Sequence, residues 1–169
     1  MELINIYNNE RKIIKQNIDR YTYKCNENEY TLSVQMWIIN DDEEIILTRR
    51  ANNKTYPSLW ECTEGVVQAN ETSLEGAIRE VKEELGVDID PRGIIKLDIP
   101  KENEYPKFTD VYLCRKNISL NKITLQNEEC SDVKIVDEIQ YNLMCKNNEI
   151  VPHLNYFYKV YRTMKGNKK

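Results

Sequence analysis

Residues 65–87 read GVVQANETSLEGAIREVKEELGV, and this stretch decides the fold. Thr72 and Glu75 have the S/T-x-x-E spacing of a capping box, which predicts a helix starting close to residue 73. From there Leu74, Ala77, Ile78, Val81 and Leu85 recur at i, i+3, i+4, i+7 and i+11, one apolar stripe facing a core. Gly86 follows the last apolar residue, where a left-handed C-terminal cap is expected. The rest of the helix is acidic. Glu80 and Glu84 stand one turn apart with Glu83 beside them, and like charges so spaced cost roughly 0.2–0.5 kcal/mol per pair in an isolated helix. Arg79, four residues from both Glu75 and Glu83, offsets only part of that. Such a cluster reads either as a solvated acidic face or as oxygen ligands for a hard divalent cation shared with substrate phosphates.

The chain has 169 residues, a length suited to one domain over 1–169 with a single sizeable core. With 31 % charged and 40 % hydrophobic residues it has the balance of a soluble protein. A net charge of −4 gives no basic face for a nucleic-acid partner. No apolar run approaches the ~18–20 residues of a membrane span, so no membrane partner is expected. The opening MELINIYNNERK lacks the basic and then apolar order of a signal peptide. The five cysteines (25, 62, 114, 130, 145) are scattered without a C-x-x-C pair, which suits reduced thiols in a cytoplasmic protein. A single histidine, His153, rules out a multi-histidine metal site.

Outward from the central stretch, residues 2–7 (ELINIY) read as a short strand, followed by a turn at 8–10. Residues 11–30 are ambiguous in period and are expected to form an irregular connector with a possible short strand. Residues 31–40 and 44–51 read as two strands of a hairpin around the acidic turn DDEE. Residues 52–57 form a loop into SLWECTEG. Further strands are expected within 93–100 (GIIKLDIP), 109–116 (TDVYLCRK) and 132–136. From Glu138 two helices follow around a turn at 146–148, with Leu154, Phe157, Tyr158 and Tyr161 as the inward stripe of the second.

Gly65, Glu71, Arg79-Glu80, Val81, Glu83-Glu84, Gly86 and Val87 fit every position of G-x5-E-x7-R-E-U-x-E-E-x-G-U, with U a bulky aliphatic. On this motif the chain is identified as a member of the Nudix (MutT-like) hydrolase superfamily. The strand ending in Arg49-Arg50, then Lys54 and Y-P-S-L-W-E, resembles the branch that holds isopentenyl-diphosphate isomerases and the hydrolases related to them. Ser58 departs from it, standing where glycine is common. The resemblance implies an α/β fold, an α/β/α sandwich with a mixed central sheet. It implies hydrolysis of a diphosphate linkage in a small-molecule substrate, a nucleoside diphosphate joined to another moiety. It also implies Mg²⁺ or Mn²⁺ on Glu80, Glu83, Glu84 and the carbonyl of Gly65. Glu83 would be the general base, with Glu129, just before the 132–136 strand, as the other candidate and Glu128 its alternative. Arg79 would orient the carboxylates, with Glu71 as a partner. A homodimer is common in the superfamily.

Outside the motif, Arg49, Arg50 and Lys54 could meet substrate phosphates or be solvated charges at a strand end. Trp60 could stack on a substrate ring or anchor a loop, and Cys62 reads as buried packing. Two other functions compete. An isomerase of this branch would need strand histidines where Thr31 and Gln35 stand, and a non-catalytic Nudix-fold binding module would typically have lost box glutamates.

Overall fold

The computed structural model describes residues 1–99 and 106–166. Pro100, at the end of one expected strand segment, and the following residues 101–105 lie outside them. The chain forms two compact units: residues 1–36, 63–82 and 88–114 make the first, and 37–62, 83–87 and 115–169 the second.

In the first unit β1 (Leu3–Tyr7) pairs antiparallel with β2 (Ile13–Asp19). Residues 11–30 were expected to form an irregular connector with a possible short strand, and β2 is that strand, seven residues long. Its period is unreadable because most of β2, including Ile13 and Ile14, stays exposed. Backbone pairing with β1, rather than a buried face, specifies the strand. The first residues of β3 (Thr31–Ile39) pair with β6 (Thr63–Val66), placing Val34 opposite Gly65. β7 (Ile95–Leu97) runs antiparallel to β8 (Lys107–Arg115). β8 neighbours β3, and the two run parallel. Thr31 N–H donates to Pro106 O at their start, and Lys116 N–H donates to Ile39 O at their end. The sheet is therefore mixed.

α1 (Ser73–Leu85) begins in the first unit and ends in the second. The capping box closes as expected: Thr72 N–H donates to Glu75 Oε2 at 2.7 Å, and Glu75 N–H to Thr72 Oγ1 at 3.3 Å. Ala77, Val81 and Leu85 are buried, and Gly86 has φ +68°, the left-handed cap.

In the second unit the end of β3 meets β4 (Ile45–Arg50) at Ile39 and Ile45, the expected hairpin. β4 also pairs antiparallel with β5 (Trp60–Glu61) and β9 (Cys130–Val136). α2 (Glu138–Lys146) is capped by Asp137, which accepts from Gln140 N–H at 2.7 Å. α3 spans Phe157–Gly166. Leu154 lies in a separate 3₁₀ turn, Pro152–Leu154, so the second helix starts later than the stripe suggested. The stripe itself is buried, and Phe157 stacks on Trp37 with ring centres 4.3 Å apart.

The turn before β4 is tied to α3 through Glu43, which accepts from Arg162 at 2.6 Å and Tyr161 at 3.0 Å and pairs with Lys165. The Lys165 ammonium, then Arg162, holds the Glu43 carboxyl down at about 2. A depressed carboxyl adds stability above its unfolded pKa of about 4.3 and loses it as pH falls through about 2. In urea denaturation, Glu43→Gln is therefore expected to be less stable than wild type at pH 7. The gap should narrow by pH 3 and close near pH 2. A gap independent of pH would contradict this linkage.

Candidate active site

In the first unit Arg79 is the hub. Its Nε and Nη2 donate to the two oxygens of Glu71 at 3.0 and 2.7 Å, a fork-on-carboxylate pair. Nη1 donates to Glu80 Oε1 at 2.9 Å, and Nη2 also reaches the carbonyl of Val66 at 3.1 Å. Burial opposes the charge on Arg79, but Glu71 and Glu80 outweigh it and hold the guanidinium protonated. Glu71 also accepts from Gln68 N–H at 2.8 Å, so one carboxylate fixes both the loop before α1 and the arginine on it.

Two glycines make room for these carboxylates. A Cβ on Gly65 would sit 1.9 Å from Glu80 Cδ, and one on Gly76 would sit 2.8 Å from Glu71 Oε1. The need for a bare backbone at Gly65 was legible from the motif. The seat that Gly76 provides for Glu71 was not.

Glu83 and Glu84 stand on the last turn of α1, in the second unit; Glu83 is exposed and Glu84 only 5 % exposed. That turn is closed by the segment before β9, where Gln126 N–H donates to Glu84 O at 3.2 Å and Thr124 N–H to Leu85 O at 2.9 Å. The same segment carries Glu129, whose backbone carbonyl accepts from Ala51 N–H at 3.0 Å and whose side chain pairs with Lys54. Cys130 is buried among acids. Burial, then the charges of Glu84 and Glu61, pushes its thiol up to about 12, which keeps it protonated. Cys62 is also buried, in agreement with a packing role.

The other residues singled out from the sequence are distributed over β4 and β5. Arg49 is exposed and its Nε donates to Ser58 O at 3.0 Å. Arg50 pairs with Glu61. Trp60 is half-buried in β5, with Lys134 Nζ 3.9 Å from its ring centre and Glu149 O accepting from its N–H at 2.8 Å. Lys134 covers one ring face, a contact no local sequence signal gives. Ser58 has φ +64°, the left-handed region that explains the glycine usual at this place.

The group that the motif implies is a hard divalent cation. Three carboxylates on one helix plus the bare Gly65 backbone are an all-oxygen donor set, and the Gly65 cradle keeps a side chain off the Glu80 carboxylate. The residues fit.

Residues 29–157 match the family model for the NUDIX domain. A Nudix hydrolase of Listeria innocua is 30 % identical over 156 residues, covering 90 % of each chain. An isopentenyl-diphosphate Delta-isomerase of Salmonella is 27 % identical over 99 residues, 48 % of this chain and 55 % of the isomerase. Among solved structures, a Deinococcus radiodurans protein superposes with a TM-score of 0.72 over 89 % of this chain and 92 % of its own, at 20 % identity, a likeness of fold. The motif, the fold around it and the match over most of the chain agree: this protein belongs to the Nudix hydrolases.

Proposed function

We propose that the chain is a metal-dependent Nudix hydrolase that cleaves the diphosphate linkage of a nucleoside diphosphate joined to another moiety. The observation that carries the proposal is the intact glutamate set on α1 together with the Gly65 backbone cleared for Glu80. Glu80, Glu83, Glu84 and the Gly65 carbonyl would hold Mg²⁺ or Mn²⁺. The bound cation supplies charge neutralisation on the phosphate oxygens and acidifies a bound water. The chain's own part is positioning and proton transfer. Arg79 fixes the Glu80 carboxylate from one side while Glu71 fixes Arg79 from the other. Glu83, exposed on the last turn of α1, would accept the proton of the attacking water. Glu129 is the second candidate base, and its pairing with Lys54 must open before it could serve.

The test is a panel of ADP-sugars, nucleoside triphosphates, dinucleoside polyphosphates and coenzymes with Mg²⁺ or Mn²⁺, products identified by mass. Hydrolysis at a diphosphate bond is expected for at least one class. Isopentenyl diphosphate belongs on the same panel because the isomerases share part of the chain. Isomerisation there, with no hydrolysis elsewhere, would replace this reading. Gln35 speaks against that result: it stands where the isomerase pattern places a histidine, and it is buried and committed to Glu64 at 2.7 Å.

A further inference from the structure

The hairpin of β1 and β2 carries a polar side chain where a buried strand ordinarily carries an aliphatic one. In β1 the three successive residues Ile4, Asn5 and Ile6 are buried, Asn5 at 8 % exposure. Asparagine is depleted in strands, and a buried amide costs stability unless its hydrogen bonds are made. Here both ends of the amide are used. Nδ2 donates to the carbonyl of Ala69 at 3.0 Å, and Oδ1 accepts from Asn17 N–H at 3.4 Å. One partner is an acceptor and the other a donor, so only one orientation of the amide satisfies both. The second bond comes from a bulge. Ile4 pairs with Ile18 and Ile6 with Lys15, so Gln16 and Asn17 together stand against Asn5. Asn17 has φ +55°, in the left-handed region. A bulge takes a backbone group out of the ladder, and the Asn17 N–H holds the Asn5 amide with its donor toward the loop between β6 and α1.

That loop hangs between two strands. Val67 N–H donates to Leu32 O on β3 at 2.9 Å, and Ala69 N–H donates to Leu3 O on β1 at 2.8 Å. Ile4 also forms an antiparallel bridge with Gln68. Asn5 completes the β1 side, so Ala69 is gripped at its N–H by backbone and at its carbonyl by a side chain. Two residues further on stands Glu71, which takes the fork of Arg79, and Arg79 in turn holds Glu80. A loop that tilts on β1 therefore carries Glu71 with it and releases the arginine from its place on Glu80. Every residue of this relay lies in the first unit, and the hairpin precedes residue 29, where the family match begins. We propose that Asn5 is a positioning residue for the Glu80 carboxylate, acting through Ala69, Glu71 and Arg79, and that the hairpin is part of the scaffold of the metal site. This inference rests on the reading of Glu80 as a metal ligand.

The experiment is calorimetric binding of Mn²⁺ alone, which needs no turnover, to the full chain and to Asn5→Leu, Asn5→Asp and Asn17→Ala. Leucine removes both bonds of the amide at similar volume. Aspartate keeps the acceptor for Asn17 N–H and loses the donor to Ala69 O. Asn17→Ala strains the left-handed position and weakens the hairpin while leaving both bonds of Asn5 in place. Partners that orient a metal ligand from behind matter to affinity, so both Asn5 variants should bind Mn²⁺ ~5- to 10-fold more weakly, and Asn17→Ala should stay within ~2-fold of wild type. On any substrate that is hydrolysed, half-saturating Mn²⁺ should rise by the same factor in the Asn5 variants, with kcat at saturating metal within ~3-fold of wild type. A hairpin that only added stability would lower Tm in all three variants and move Mn²⁺ affinity in none. Circular dichroism sets a temperature at which every variant is folded. Asn5 variants within ~2-fold of wild type, an equal loss of affinity in Asn17→Ala, or no Mn²⁺ binding by wild type would overturn the proposal. If the variant pattern is as expected but wild type hydrolyses nothing on the panel, the hydrolase reading fails and this one stands. If wild type hydrolyses and the Asn5 variants bind metal as it does, this one fails and the hydrolase reading stands.

Discussion

Replacing Arg79 with methionine is expected to lower stability by about 3 kcal/mol and turnover by at least ~100-fold. The stem packs about as well in either case, so the loss is electrostatic. Arg79 makes charge-assisted and backbone contacts to both oxygens of Glu71, to Glu80 and to Val66 O. Glu71 and Glu80 are only 15 % and 13 % exposed, so water cannot replace the guanidinium at full strength. Urea denaturation measures the first effect and steady-state kinetics the second. Arg79→Lys should recover part of the stability and little of the activity, because one ammonium cannot span both carboxylates. A loss below about 1 kcal/mol in Arg79→Met would show that the hub is not structural.

Gly65→Ala separates activity from stability in the opposite way. The added Cβ would meet the end of the Glu80 side chain, at 1.9 Å from Cδ and 2.0 Å from Oε1. A carboxylate on a flexible stem can step aside, so the folding cost is expected to be about 1 kcal/mol. The displaced Glu80 no longer sits between Gly65 and Arg79, and misplacing one such group by about 1 Å costs ~100-fold in rate. Near-wild-type turnover in Gly65→Ala would mean that the position of Glu80 does not matter to the reaction.

What the sequence made legible is what short-range physics controls. The capping box at Thr72, the buried stripe of α1 and the left-handed Gly86 follow from neighbours within a few residues, and each stands where expected. The pairing of Arg79 with Glu71 spans eight residues and was still foreseen through the motif. What the sequence hid depends on strand register and side-chain reach. Arg49 and Arg50 look equivalent in a string of letters, and only the pairing of β4 with β5 assigns them to different faces. Glu61 escaped notice for the same reason, since its arginine lies eleven residues away across a loop with left-handed turns at Tyr56 and Ser58. β2 was legible only as a possible short strand because its side chains, largely exposed, carry no buried alternation.

The central claim is that turnover depends on a divalent cation held by the glutamates of α1. It is tested most directly by titrating Mg²⁺ and Mn²⁺ into the best substrate of the panel with wild type, Glu83→Gln and Glu84→Gln. The account predicts no turnover without metal, saturation as metal is added, and a loss of at least ~100-fold in both variants, as expected on removing a base or a ligand. Turnover that survives chelation, or variants that match wild type at every metal concentration, would contradict it.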